Sequence, residues 1–105
     1  MYRFDWNQPG HPFFGTATHA TEIPFVFNNV KMLESSGVTL DELTVNLAHR
    51  MQTAWITFAH TWTPATLEIP WTDYNKNDRT TIIFNRQIEL AHDPDGEKRL
   101  AIIGE

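Results

Sequence analysis

The chain has 105 residues, a formal charge of −5 and no cysteine, which bounds it to one domain with a modest core. Its eight Lys and Arg are scattered, so a phosphate-binding surface and hence a nucleic-acid partner are excluded. Without thiols there are no disulfides, zinc thiolates or cysteine nucleophile, while the redox compartment stays open.

Residues 2–6 alternate Tyr2, Phe4 and Trp6 with Arg3 and Asp5, the period-two pattern of a strand. Asn7-Gln-Pro9-Gly10-His-Pro12 breaks it and opens a loop that runs through Gly15 to His19. Residues 20–27 form a brief helix with Pro24 in its first turn, where a missing N–H costs nothing, and Asn28-Asn29 ends it. Ser35-Ser36-Gly37 reads as a polar linker.

Thr39 and Glu42 have capping-box spacing. Beyond them Leu40, Leu43, Leu47, Met51, Ala54, Trp55, Phe58 and Ala59 recur at three- and four-residue intervals. This predicts a long amphipathic helix over about 40–60, ended by Thr63-Pro64. Residues 64–79 are loop-like. Residues 80–84 are β-branched and apolar, hence a strand, and Asn85-Arg86 would turn tightly into a second strand over 87–91, giving a hairpin. Asp93-Pro94-Asp95-Gly96 is a turn, and residues 100–103 either pair again or form a short helix. Four Trp and seven Phe require a large surface to pack against.

Among the chemistry-bearing residues, His19 stands in a run of small side chains, Ala17, Thr18 and Ala20, which would let a substrate and a nucleophile reach its ring. An imidazole exchanges protons near neutral pH and so serves as a general base. Glu22 follows one helical turn later, where a carboxylate is favoured by the helix N-terminus. His11, His49, His60 and His92 are scattered, with no HExxH pair or clustered carboxylates, so no metal site is expected. Trp55, Phe58 and Trp62 read as core before they read as a ligand cage. The acidic pairs Asp41/Glu42 and Asp93/Asp95 fall in a helix start and a turn. Ser35 and Ser36 are the only serines, and no Gly-x-Ser-x-Gly elbow is present.

The stretch Gly15-Thr-Ala-Thr-His19-Ala-Thr-Glu22-Ile-Pro24-Phe-Val-Phe27 resembles the segment around the catalytic histidine of type B carboxylesterases, the family of para-nitrobenzyl esterases and cholinesterases. The flanks agree in order: Tyr2-Arg-Phe-Asp-Trp6 before it, Arg50-Met51, Trp55 and Phe58-Ala59 after it, and residues 81–84 further on. The resemblance implies a mixed α/β fold forming the C-terminal portion of an α/β-hydrolase: strand, His-bearing loop, short helix, long amphipathic helix, C-terminal hairpin. The whole chain, 1–105, would then be a single partial domain.

It further implies that His19 is the catalytic histidine, with Glu22 and Gly15 in supporting roles. The nucleophilic serine, oxyanion hole and triad acid would lie upstream of Met1, so ester hydrolysis is not expected of this chain alone. The alternative is a non-catalytic, self-associating module, a homo-oligomer joined through a strand edge and apolar surface that have lost their covering layers. A carboxylic ester would be a partner only with the upstream part supplied. No cofactor is expected. No apolar run reaches the roughly 18 residues of a membrane span and the polar start is no signal peptide, so the expected location is cytoplasmic. One departure from the family's pattern is Trp62, which stands where a helix-ending glycine is usual.

Overall fold

The computed structural model describes residues 1–104. Strand β1 (Tyr2–Phe4) is followed by a long loop, helix α1 (Ile23–Val26), a 3-10 helix (Val30–Ser36), the long helix α2 (Glu42–Thr61), strands β2 (Thr80–Phe84) and β3 (Glu89–His92), and helix α3 (Gly96–Ile103). The class is mixed α/β, as expected. The sheet runs in the order β1-β2-β3. β1 is parallel to β2 with Phe4 beside Phe84, and β2 is antiparallel to β3 with Ile83 beside Glu89.

The alternation read in residues 2–6 places the aromatics toward the helices. Tyr2 lies edge-on to Trp55 at 5.0 Å between ring centroids, and Trp71 meets Phe84 at 5.6 Å. Further along, Phe4 and Trp6 close on Phe25 of α1 at 5.0 and 4.9 Å. This aromatic seam is the surface that so many rings required. On the opposite face, Arg3 bonds Asp5 at 2.8 Å and Asp95 at 3.1 Å. Buried Trp6 donates from Nε1 to Oγ1 of buried Thr44 at 3.1 Å, so the one polar atom of its ring is satisfied inside the core.

Several expectations need correction. The helix at 40–60 begins at Glu42, because Asp41, not Thr39, is its N-cap: the Asp41 carboxylate accepts the Thr44 amide at 2.7 Å. Its buried stripe is Thr44, Leu47, Ala48, Met51 and Ala54, while Leu43, Phe58 and Ala59 are exposed. The seam mixes large side chains, Leu47 and Met51, with the small Thr44, Ala48 and Ala54. The supposed linker at Ser35-Ser36 is the last turn of the 3-10 helix. Val30 and Leu33, three apart, are buried at its three-residue period, and Gly37 closes it in the left-handed conformation at φ 84.

The hairpin is present but its loop is longer than a two-residue turn, with β3 starting at Glu89. Within that loop the Arg86 guanidinium bonds Asp41 at 3.0 Å and the Asn7 carbonyl at 2.6 Å. Residues 100–103, left open between strand and helix, belong to α3. The turn before α3 is as expected, with the Gly96 amide donating to the Asp93 carbonyl at 3.0 Å. α2 ends at Trp62, which itself takes the left-handed cap at φ 63 and donates its N–H to Phe58 O at 2.8 Å.

Candidate functional site

The loop between β1 and α1 carries every candidate site residue. It leaves the sheet at Asp5, whose amide still bonds Phe84 O at 2.8 Å, and folds back when the Gln8 amide reaches Phe14 O at 2.7 Å. Inside that fold stands His11. Its Nδ1 accepts the backbone amides of Phe13 and Phe14 at 3.0 and 2.9 Å. That leaves Nε2 as the protonated nitrogen, and it donates to the Ser36 carbonyl at 2.6 Å. Beside it the Gln8 Oε1 accepts the Thr39 amide at 2.8 Å. Two side chains thus tie the loop to the end of the 3-10 helix.

Gly15 comes next, and a Cβ there would lie 2.6 Å from the His11 carbonyl oxygen. No other residue fits without moving backbone. Past Gly15 the next side-chain hydrogen bond among the described residues is made by Thr21, which is buried and donates from Oγ1 to Thr18 O at 2.8 Å. Ala20 turns through φ 65, a conformation that disfavours any side chain beyond Gly, Asn or Asp.

His19 sits on this turn, exposed. Among the described residues its ring has neither a hydrogen-bond nor an ion-pair partner, so both nitrogens are open to a group from outside. Glu22 is half-buried at the N-cap position of α1 but makes no side-chain cap bond. Its charge is felt instead at Tyr2, whose phenol is pushed above its ordinary value by burial first and by the Glu22 carboxylate second. No hydrogen bond joins His19 to Glu22 or Gly15 among the described residues.

The remaining candidates do not converge on this loop. Ser35 donates to Met32 O at 2.8 Å, and Ser36 offers its carbonyl to His11; both are structural. No group of three or more His, Asp or Glu could hold a metal ion among the described residues. A cavity of about 360 Å³ opens between α2 and the sheet, lined by Tyr2, Trp55, Phe58, Trp62 and Trp71 with Asp73, and His19 is not on its wall. No helix among the described residues is long and apolar enough to cross a membrane. The clamp made by His11 and Gln8 escaped sequence reading, because the acceptors and donors it uses lie 25 to 31 positions away and no local spacing signals them.

Residues 1–102 match the carboxylesterase family. The para-nitrobenzyl esterase of Bacillus subtilis (strain 168) is 44% identical over 101 residues, covering 94% of this chain and 20% of that protein. A solved thermophilic PNB esterase superposes with a TM-score of 0.86 at 39% identity, over 94% of this chain and 20% of its own. A Geobacillus stearothermophilus carboxylesterase gives 0.77 at 31%, over 96% and 21%. The chain therefore spans about one fifth of the length of the relatives it matches, and its strand, loop and helix arrangement is part of an α/β-hydrolase architecture. With the first strand, the His19 loop, α1 and α2 inside one continuous match, this chain belongs to the carboxylesterase family.

Proposed function

We propose that the chain supplies the histidine-bearing, C-terminal segment of a carboxylic-ester hydrolase, with His19 as its general base. The observation that carries this is the state of the His19 ring: exposed, unpartnered among the described residues, and on the loop that follows a sheet strand. In ester hydrolysis such an imidazole takes the proton from a serine Oγ as that oxygen attacks the ester carbonyl. It then returns the proton to the departing alcohol. One nitrogen must face the serine and the other an acid that holds the tautomer. Both nitrogens of His19 are open to such partners, which would come from sequence outside these 105 residues. Gly15 allows the tight approach that leads into the His19 turn, and Glu22 supports the turn from the first residues of α1.

The chain alone is then inert toward esters, since triad members act as a unit. Joined in frame to the upstream four fifths of a para-nitrobenzyl esterase, it hydrolyses a chromogenic short-chain ester. His19→Ala in that hybrid lowers kcat by about 10³-fold or more. Turnover unchanged by His19→Ala would remove the reading.

A second reading, a self-associating module without catalysis, is favoured by a separate observation: Phe27, Trp62, Leu67 and Ile102 are 71, 84, 108 and 84% exposed. Its test is the association state of the chain in solution.

A further inference from the structure

The geometry points to His11 as the residue that positions His19. The inference rests on the reading of His19 as the base and adds what holds that base in place.

The argument is one of tethers. Downstream, the His19 turn is fixed at buried Thr21, two residues away. Upstream, the nearest fixed point is Phe14, whose ring is buried and packs on Trp6 at 6.3 Å. Besides that packing and the ring of Phe13 at 4.9 Å, Phe14 is held by its carbonyl, which accepts the Gln8 amide, by its amide, which donates to His11 Nδ1, and by the His11 ring at 5.1 Å. His11 supplies the last two. It also carries the loop's link to Ser36 through Nε2, and its own carbonyl is the wall against which Gly15 is pressed.

Between Gly15 and Thr18 the Thr16 hydroxyl makes no hydrogen bond among the described residues, and Ala17 has no polar side-chain atom. Removing the His11 ring therefore takes the acceptor from the amides of Phe13 and Phe14 and loosens the upstream anchor of the His19 turn, which then keeps the Gln8 amide and the Trp6 and Phe13 ring contacts. An imidazole suits the place because it accepts on one nitrogen from an amide three residues on and donates on the other to a carbonyl 25 residues on. That pattern requires the neutral ring protonated at Nε2.

The test uses ¹⁵N-labelled chain. Imidazole spectra should show His11 protonated at Nε2 only, with Nδ1 as an acceptor. In His11→Ala, backbone order parameters over residues 13–19 fall from about 0.85 to below about 0.6, while the amides of α2 keep theirs. Two further variants separate the two bonds and keep the comparison decisive if alanine loosens the whole chain. His11→Asn places Oδ1 where Nδ1 was and preserves order at Phe14 and His19. His11→Gln restores a donor toward Ser36 but leaves both amides bare, and order at His19 is lost. Unchanged order at His19 in the alanine variant, or equal rescue by Gln and Asn, overturns the assignment. In the hybrid hydrolase, His11→Ala lowers kcat several-fold with KM unchanged, because the base is misplaced and the ester pocket is not. If His19→Ala leaves turnover intact, the base reading fails while the relaxation result still decides the clamp.

Discussion

At the scale of single residues, Gly15 and Trp62 show opposite relations between backbone and side chain. At Gly15 the steric limit is close and rigid, since the atom a Cβ would strike is a main-chain carbonyl at 2.6 Å. Gly15→Ala should therefore destabilise by about 1–3 kcal/mol, the range for forcing an extra methyl into a filled site, with a lower denaturant midpoint as the readout. At Trp62 the strain is already present. A bulky residue holds φ 63 at the end of α2, which costs about 1–2 kcal/mol relative to glycine. Burial offsets little of that, for the side chain is 84% exposed and its one ring contact is with Phe58 at 6.3 Å. Trp62→Gly should raise stability by about 0.5–1 kcal/mol after the lost ring contact is counted. A lower midpoint would mean that Trp62 contributes packing beyond its contact with Phe58.

At the scale of elements, the start of α2 couples a cap to a charge. Hydrogen bonding from Thr44, first through its side chain and then through its amide, with Arg86 behind, holds the Asp41 carboxyl below its ordinary value of 3.8. A carboxyl depressed in the folded state contributes stability that is present above the unfolded pKa and is lost as pH falls through the folded one. Asp41→Ala should cost about 1 kcal/mol at neutral pH, and its difference from the parent should shrink as pH is lowered below about 3.8. Asp41→Asn, which keeps an acceptor but not the pair with Arg86, should fall between them. Thermal unfolding at a series of pH values checks all three.

Asp41 also marks what was legible in the chain. The existence of α1, α2 and the hairpin followed from periodicity and punctuation, and β2 was bounded correctly because Thr80-Thr-Ile-Ile is a continuous β-branched run closed by the aromatic Phe84. The cap was misassigned because Thr39/Glu42 and Asp41/Thr44 are both three apart, and only tertiary contact with Arg86 favours the second. The 3-10 helix was missed because its signal is one pair, Val30 and Leu33, too short to stand out from a linker. Likewise His19 could be singled out from its small neighbours and the resemblance, whereas the His11 clamp needed two distant segments brought together.

At the scale of the whole molecule, shape explains why so much apolar surface faces solvent. The radius of gyration is 14.9 Å, against about 13 Å for a compact chain of this length. The smallest dimension is 19 Å, close to one sheet and one helix stacked. An α/β fold normally covers both faces of its sheet. Here β1 is an edge strand of three residues, and α3 buries no residue at all. Phe27, Trp62, Leu67 and Ile102 all remain exposed. Two layers with large exposed apolar side chains should pair at micromolar concentration, since stable contacts need only about 800 Å² from each partner. Sedimentation velocity should show a mass above 12.2 kDa that rises with concentration. Replacing Trp62, Leu67 and Ile102 with Ser, Lys and Lys should return the monomer. Joining the chain to the upstream part of a related esterase should abolish association as well, without any substitution, because the same surfaces become interior. A chain that stays monomeric with those residues intact would show that neighbouring loops already cover them in solution. Association that persists after all three replacements would place the contact elsewhere, at the free edge of β1.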